Sequence, residues 1–200
     1  MKKKDLIQQL KSQKFSKKII EAFEKVDRSE FISKKHKKYS YHDIAISIGK
    51  GQTISQPYTI AFMLTLLKLK NSQKILEVGT GSGYVLALIN EISKNSEIYG
   101  IERIKELMER SKKILEDKKN IKVIQGDGSK GLPKVKGKGF DRILVSASAQ
   151  EIPQKLVKQL KIRGILVAPV RNSIIVVKKY SKKNEIREYP GFRFVPLIES

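Results

Sequence analysis

The order of apolar and polar residues divides the chain into a helical first part and an alternating second part. Apolar side chains recur at helical spacing in segments 6–10 and 19–26. A strongly apolar segment at 58–69 follows Pro57, and proline is favoured in the first turn of a helix. Residues 1–70 are therefore predicted to be mainly helical, apart from an extended or looped stretch before Pro57.

After this part, short apolar runs alternate with segments of helical periodicity. Helices are predicted at 83–93, 103–117 and 152–160, and strands at 74–78, 97–101, 121–125, 140–146, 164–170, 174–180 and 186–197. Such alternation is typical of a mainly parallel sheet covered by helices on both faces. No helical segment separates the last three strands, so antiparallel pairing is expected there.

This pattern predicts an α/β fold of the Rossmann-like, doubly wound type. Its mainly parallel sheet would have seven strands, and the helices of the first part would form an N-terminal extension. A length of 200 residues fits one domain, in which residues 1–70 carry helices and a substrate loop and residues 71–200 form the α/β core.

Composition excludes several classes of function. No apolar run approaches the ~20 residues that a membrane span needs, and no apolar segment follows the charged start as in a signal peptide. We therefore expect a cytoplasmic protein that does not engage membranes, and a monomer. The absence of cysteine excludes disulfides, thiol nucleophiles and thiolate metal sites, and two histidines are too few to suggest a metal centre.

The formal net charge of +22 would attract nucleic acids or acidic proteins. The alternative is that lysines simply solvate the surface. Because the lysines are spread along the whole chain and rarely alternate with aromatic residues, the second interpretation is favoured. Binding of nucleic acid is therefore not required by the sequence.

A glycine-rich loop joins the first predicted strand of the core to a helix. Residues 75–84 read Ile-Leu-Glu-Val-Gly-Thr-Gly-Ser-Gly-Tyr. Glycines permit a tight turn, and the helix N-terminus offers oriented N–H groups to a ligand. A dinucleotide fingerprint would need glycine in place of Tyr84, and the Gly-Lys-Ser/Thr of a P-loop is missing. The loop therefore indicates a different ligand.

Acidic residues near three successive strand ends narrow the choice of ligand. Glu77 precedes the glycines and could face a positive amino group, whereas Glu102 stands where such folds hold a ribose. Asp127 and the N–H of Gly128 could read an adenine edge. Together they favour S-adenosylmethionine over the alternative of ordinary turn glycines and surface acids. The predicted cofactor-binding residues are Glu77, Gly79, Thr80, Gly81, Ser82, Gly83, Glu102, Arg103, Asp127 and Gly128.

Several segments, in order along nearly the whole chain, resemble those of protein-L-isoaspartate O-methyltransferases. They are Gly-Lys-Gly-Gln-Thr-Ile-Ser-Gln-Pro at 49–57, the glycine loop, Gly-Asp-Gly at 126–128, Phe-Asp at 140–141 with Ile-Pro at 152–153, and Arg-Phe-Val-Pro-Leu at 193–197. The Thr-Ile-Ser-Gln-Pro portion is the specific one, since class I methyltransferases share the glycine loop. The resemblance implies methyl transfer from S-adenosylmethionine to the α-carboxylate of L-isoaspartyl residues in damaged proteins.

The same resemblance assigns substrate residues. Ser55 would lie nearest the reacting carboxylate and orient it by hydrogen bonding, while Thr53 and Ile54 shape the same loop. A second wall, which holds the substrate backbone extended, would consist of Val195, Pro196 and Leu197. A carboxylate is already an anion at neutral pH, so positioning rather than a strong base should dominate catalysis. The alternative for Ser55 is a plain helix cap beside Pro57.

Two positions depart from the family pattern, and two other functions stay open. Ser47 stands where proline is common, and Ser146 begins a Ser-Ala-Ser-Ala run that could contact the site. An RNA methyltransferase would suit the charge, but the Asn/Asp-Pro-Pro-aromatic motif is missing and few aromatics besides Tyr58 and Tyr84 are available for base stacking. A non-catalytic binding module is the other alternative.

Overall fold

Helices form the N-terminal part, as the periodicity predicts. The computed structural model describes residues 1–132 and 139–198. It begins with α1 (Lys3–Ser12) and α2 (Lys17–Lys25), followed by two short 3-10 helices at Arg28–Phe31 and Lys34–Tyr39. The apolar faces of α1 and α2 are buried, and α2 packs against a helix of the core.

A β-hairpin occupies the stretch that the sequence predicted to be extended or looped. Strands β1 (Ile46–Gly49) and β2 (Gln52–Ile54) pair antiparallel, and the turn between them has φ angles of 55° at Lys50 and 71° at Gly51. The hairpin leads directly into α3 (Pro57–Leu67), with proline in its first turn.

Seven strands form the central sheet and confirm the predicted fold class. They are β3 (Lys74–Val78), β4 (Glu97–Glu102), β5 (Ile121–Gln125), β6 (Phe140–Val145), β7 (Leu160–Val170), β8 (Ser173–Lys178) and β9 (Glu185–Pro190). Their order across the sheet is β5-β4-β3-β6-β7-β8-β9. The first five in this order run parallel to one another. Strand β8 pairs antiparallel with β7, and β9 pairs antiparallel with β8.

The predicted boundaries differ from the observed ones mainly near the C-terminus. Helices α4 (Tyr84–Ile92) and α5 (Lys105–Ile114) lie within their predicted ranges, but α6 is only Gln154–Gln159 because strand β7 already begins at Leu160. The last strand ends at Pro190, well before the predicted 197. Beyond it, Gly191 has a φ of 95° and the chain leaves the sheet.

Side chains on the two faces of the sheet belong to two separate core clusters. One cluster joins the N-terminal helices, α3 and α4 to one face, and it contains Ile75 of β3. The other contains Leu76 and Val78. Because alternate residues of a strand point to opposite faces, Glu77 lies on the side of Ile75. The division into parts 1–70 and 71–200 stays a prediction, although the first cluster contains side chains of both.

The topology places a cleft where the connections diverge from β3. The chain passes from β3 to its neighbour β4 on one side, whereas β6 lies on the other. Open α/β sheets bind ligands at the carboxyl end of such a switch point. Among the described residues, none of the helices has the length and apolarity that crossing a bilayer would require.

Gly100, in the middle of β4, provides a test of this packing. A Cβ there would lie 2.5 Å from Thr80 Oγ1 and 2.6 Å from Leu86 Cδ1. We expect Gly100→Ala to lower the free energy of unfolding by about 1–3 kcal/mol, measured by urea denaturation. Gly126→Ala is the matched control, because its Cβ would meet only Ile101 Cγ2 at 3.7 Å. Equal stability of the two variants would contradict the packing described.

Candidate active site

The glycine loop after β3 is tied to the end of β4. The backbone N–H groups of Gly79 and Thr80 both donate to Ile101 O, at 2.9 and 3.1 Å. Gly79, Gly81 and Gly83 have φ angles of 82°, 53° and 87°, in the left-handed region that favours glycine. The loop therefore has a defined course, and Gly79 and Gly81 line a cleft at its mouth.

Glu102, at the end of β4, holds this loop and the start of the next helix. Its Oε2 accepts from Gly81 N at 2.8 Å, and its Oε1 accepts from Ile104 N at 2.9 Å. The residue is only 7% exposed, and it lines the cleft beside the exposed Arg103. Each carboxylate oxygen can accept more than one hydrogen bond, so Glu102 retains capacity for a ligand hydroxyl.

Glu77 is a carboxylate in the middle of the core. Ser146 Oγ donates to its Oε1 at 2.7 Å, whereas its Oε2 is buried without a hydrogen-bond partner among the described residues. Burial is the main reason why the pKa of Glu77 is raised to about 8; the hydrogen bond from Ser146 opposes this rise, and the nearby charge of Glu102 adds to it. A buried polar atom without a partner indicates that another group completes this site.

Asp127 lies at the third strand end, on the rim of the same cleft. Its Oδ1 accepts from Ser129 N at 3.0 Å and so begins a short 3-10 helix, and Lys130 Nζ approaches its Oδ2 to 3.6 Å. The neighbours Gly126 and Gly128 line the cleft itself. The three acids predicted from the sequence thus lie at adjacent strand ends, on one edge of the sheet.

The segment Thr53–Ile54–Ser55, at the end of β2, faces the glycine loop. These three residues line a second pocket whose other walls include Glu77, Ser146, Phe194 and the loop residues Gly79, Thr80, Gly81 and Ser82. Thr53 also borders the cleft beside Glu102. The two cavities therefore adjoin, with Ser55 in the lining of one and Glu102 in the lining of the other.

Ser55 does not cap helix α3. The helix begins at Pro57, and its N–H at Tyr58 donates to Asp43 Oδ1 at 2.8 Å instead. Within residues 1–132 and 139–198, Ser55 Oγ has no hydrogen-bond partner. The alternative interpretation of Ser55 as a plain cap is therefore wrong, and its hydroxyl is available to a ligand.

The C-terminal segment closes the cleft from the opposite side. Ser148 binds it through two backbone hydrogen bonds of 2.7 Å, one to Val195 O and one from Leu197 N. Val195, Pro196 and Leu197 all line the cleft. This segment could not be recognised as a wall from periodicity, because it reads as a continuation of the last strand.

Ser146 contacts Glu77, and its Ser-Ala-Ser-Ala run was expected to be near the site. Phe194 lines the pocket of Ser55, which sequence reasoning did not assign to it. A third pocket beside Ser55 and Val195 is also lined by Ala45, Gln56, Thr59 and Arg193. Phe194 and Arg193 belong to segment 193–197, which resembles the family, so the sequence did contain a signal that could have assigned them to the site. Gly83, by contrast, lines neither main cavity and packs close to Ser111 and Leu115.

The fold and this site define a class I methyltransferase with a Rossmann-like sheet. Solved structures of that class are similar to it. One protein-L-isoaspartate O-methyltransferase superposes with a TM-score of 0.88 at 25% identity, over 98% of this chain and 65% of that one. A candidate protein-L-isoaspartate O-methyltransferase from Plasmodium falciparum, solved with S-adenosyl-L-homocysteine, gives a TM-score of 0.82 at 27% identity over 98% of both chains.

The family model of protein-L-isoaspartate(D-aspartate) O-methyltransferase matches residues 1–200, and the chain belongs to this family. The protein-L-isoaspartate O-methyltransferase of Flavobacterium psychrophilum is 44% identical over 191 residues, which cover 92% of this chain and 87% of that protein. The Pyrococcus abyssi protein of the same name is 45% identical over 186 residues, covering 89% and 85%.

Burial of Glu77 predicts a specific dependence of stability on pH. Its folded-state pKa is about 8 against an ordinary value of 4.5, so the native state keeps a proton that the unfolded state loses as pH rises between these values. Stability from this residue is therefore present below pH 4.5 and is lost by about pH 8. Between pH 5.5 and 8.5, we expect Glu77→Gln to gain at least ~1 kcal/mol relative to the wild type.

Urea denaturation of both proteins at several pH values measures this difference. Any constant offset from the new amide cancels, because only the change with pH is compared. Parallel stability curves for the two proteins would show that Glu77 is ionised in the native state throughout.

Proposed function

We propose that this protein moves a methyl group from S-adenosylmethionine to the α-carboxylate of L-isoaspartyl residues in damaged proteins. The observation that carries the proposal is the shared pocket of Ser55 and Glu77, which brings together, beside the glycine loop, a hydroxyl and a buried carboxyl group that each keep hydrogen-bonding capacity unused among the described residues. Membership of the protein-L-isoaspartate(D-aspartate) O-methyltransferase family supports it.

The residues present fit the cofactor. Glu77 Oε2 has an unused acceptor in a buried site, and a ligand ammonium group would pair with it. Glu102 has acceptor capacity for ribose hydroxyls, and Asp127 with the N–H of Gly128 lies where an adenine edge would be read. When bound, S-adenosylmethionine supplies a methyl group already activated by the sulfonium. Arg103 and Ser82 complete the proposed cofactor contacts at the rim and in the loop.

The chain's own residues have only to hold the substrate anion in line and exclude water. Ser55 Oγ would donate to the isoaspartyl carboxylate, which needs no deprotonation at neutral pH. Ile60, Met63 and Phe194 give this pocket an apolar part, which would help to keep water away from the reacting atoms. Thr53, Ile54 and the Val195-Pro196-Leu197 segment would hold the substrate backbone on either side.

An RNA methyltransferase is less well supported, although the net charge of +22 first suggested it. The two aromatics that the sequence offered for base stacking are already engaged in packing. Tyr84 is 1% exposed and packs against Phe23 and Phe31, and Tyr58 packs against Phe15 and Phe62. Neither is free to stack on an extruded base. A monomeric state and a cytoplasmic location stay predictions.

A methylation assay tests the proposed function directly. The purified protein is supplied with S-adenosylmethionine and an isoaspartyl peptide, the same peptide with ordinary aspartate, or bulk tRNA. We expect methyl incorporation only into the isoaspartyl peptide, because only that substrate presents an α-carboxylate on the side-chain branch. Methylated tRNA with an unmodified peptide would reject the proposal in favour of the RNA enzyme. No incorporation into any substrate, with no heat of cofactor binding, would favour a binding module.

Substitutions of Ser55 and Glu102 should affect different steps. Ser55→Ala removes a hydrogen bond to a charged group and should lower kcat/KM about tenfold or more, with cofactor affinity nearly unchanged. Glu102→Ala should weaken cofactor binding by about 1.5–3 kcal/mol, because ribose hydroxyls and the loop N–H groups lose their acceptor. Calorimetry with S-adenosyl-L-homocysteine and steady-state kinetics separate the two effects.

Glu109→Ala is the control for Glu102→Ala. It also removes an acid, from helix α5, but the Glu109 side chain is 59% exposed and, within the described residues, pairs with Lys105 alone, at 3.9 Å. Glu109→Ala should change neither the cofactor affinity nor kcat/KM. A matched loss of cofactor affinity in Ser55→Ala would contradict the assignment of Ser55 to the substrate.

A further inference from the structure

Arg28 is a buried cation that contacts the backbone of Ser55, the residue after β2. It is 1% exposed and begins the 3-10 helix Arg28–Phe31. Its guanidinium donates to four backbone carbonyls: Nη1 to Ser40 O at 2.8 Å and His42 O at 3.4 Å, and Nη2 to Ile44 O and Ser55 O, both at 3.1 Å. The side chain therefore joins the segment before β1 to the residue that follows β2.

Arg28 remains charged, and its guanidinium fixes the positions of backbone carbonyls. Burial lowers its pKa to about 10, and electrostatic interactions with Tyr84 and Asp43 oppose that shift, so the guanidinium is cationic at neutral pH. Among the described residues, its hydrogen-bond acceptors are carbonyls and not carboxylates. The planar fork of arginine can direct several donors at fixed carbonyls, which a lysine cannot reproduce.

The same segment also holds the chain on the other side of Ser55. Asp43 Oδ1 accepts from Tyr58 N at 2.8 Å, at the start of α3. Ser55 O is thus held by Arg28 and the residue three positions later by Asp43. Ser55 Oγ itself has no partner among the described residues, so its direction depends on the backbone that carries it.

We propose that Arg28 is a positioning residue, which holds the backbone of Ser55 so that the Ser55 hydroxyl points into the pocket shared with Glu77. The inference rests on the proposed function, since it assigns Arg28 to the orientation of the substrate carboxylate. Arg28 lines none of the three pockets around the site, so it acts through Ser55 and not by touching the substrate. Displacement of a catalytic group by about 1 Å can lower a rate by 10²-fold.

Arg142 provides a matched control. It is a second buried arginine, 7% exposed, and it also binds backbone carbonyls, through Nε and Nη2 to Lys68 O and Nη1 to Asp141 O. It lies at the opposite end of β6 from Ser146, roughly 13 Å away along the strand. Loss of either arginine should destabilise the fold, but of the two it is Arg28 that contacts the backbone of Ser55.

The experiment compares Arg28→Met, Arg28→Lys and Arg142→Met with the wild type. Three quantities are measured: kcat and KM for an isoaspartyl peptide, affinity for S-adenosyl-L-homocysteine by calorimetry, and hydrogen exchange of the amides in residues 53–58 and 79–83. We expect Arg28→Met to lower kcat at least ~10-fold, with cofactor affinity within about twofold and faster exchange confined to 53–58. Arg28→Lys should restore part of kcat, and Arg142→Met should change kcat less than about twofold.

Each other outcome counts against the proposal. Equal kcat losses in Arg28→Met and Arg142→Met, or unchanged exchange in residues 53–58, would overturn it. If Arg28→Met does not fold, the comparison of Arg28→Lys with Arg142→Met decides by the same criteria. A wild-type protein that does not methylate the peptide would reject the proposed function, whereas the exchange data would still show separately whether Arg28 holds the turn.

Discussion

The burial of the Glu77 carboxylate is the constraint on which the site depends. An ionised group inside a core is strongly unfavourable unless it is paired, and here only one of its two oxygens has a partner among the described residues. The raised pKa of Glu77 shows the same conflict, because the protein without a ligand favours the neutral acid. A position on β3 that packing alone would give to an apolar residue thus carries a carboxyl group, which the proposed function assigns to ligand binding.

The other residues proposed to bind the cofactor are placed relative to Glu77 by the strands and the glycine loop. The glycine loop leaves β3 two residues after Glu77, and its N–H groups are satisfied by Ile101 O and the Glu102 carboxylate at the end of the neighbouring strand. The parallel register of β3 and β4 therefore brings Glu77 and Glu102 to one edge of the sheet. Their mutual repulsion also contributes to the raised pKa of Glu77. A cationic ligand would therefore offset both the burial of a Glu77 charge and its repulsion by Glu102.

Much of this arrangement could be predicted from the sequence, because strand ends in a parallel sheet are set by local patterns. The strand at 74–78 and the acids Glu77, Glu102 and Asp127 were placed by apolar runs and glycines that act over a few residues. The Arg28 contacts could not be found that way. They join carbonyls up to 27 positions away, and backbone carbonyls leave no signal in the sequence. The course of residues 191–198 was missed for a similar reason, since a backbone pairing with Ser148 determines it.

Two buried ionisable groups, one acidic and one basic, thus have different tasks near the proposed site. Glu77 keeps an acceptor open toward the glycine loop, whereas the donors of Arg28 Nη1 and Nη2 are directed at carbonyls that fix the Ser55 turn. Each group leaves one buried polar atom without a partner among the described residues, Oε2 of Glu77 and Nε of Arg28. Glu77 lines a cavity that a ligand could enter, whereas Arg28 lines none of the three pockets around the site and uses its Nη donors within the protein, as a structural clamp does. This difference separates ligand binding from orientation of the substrate, even though both groups are almost inaccessible to water.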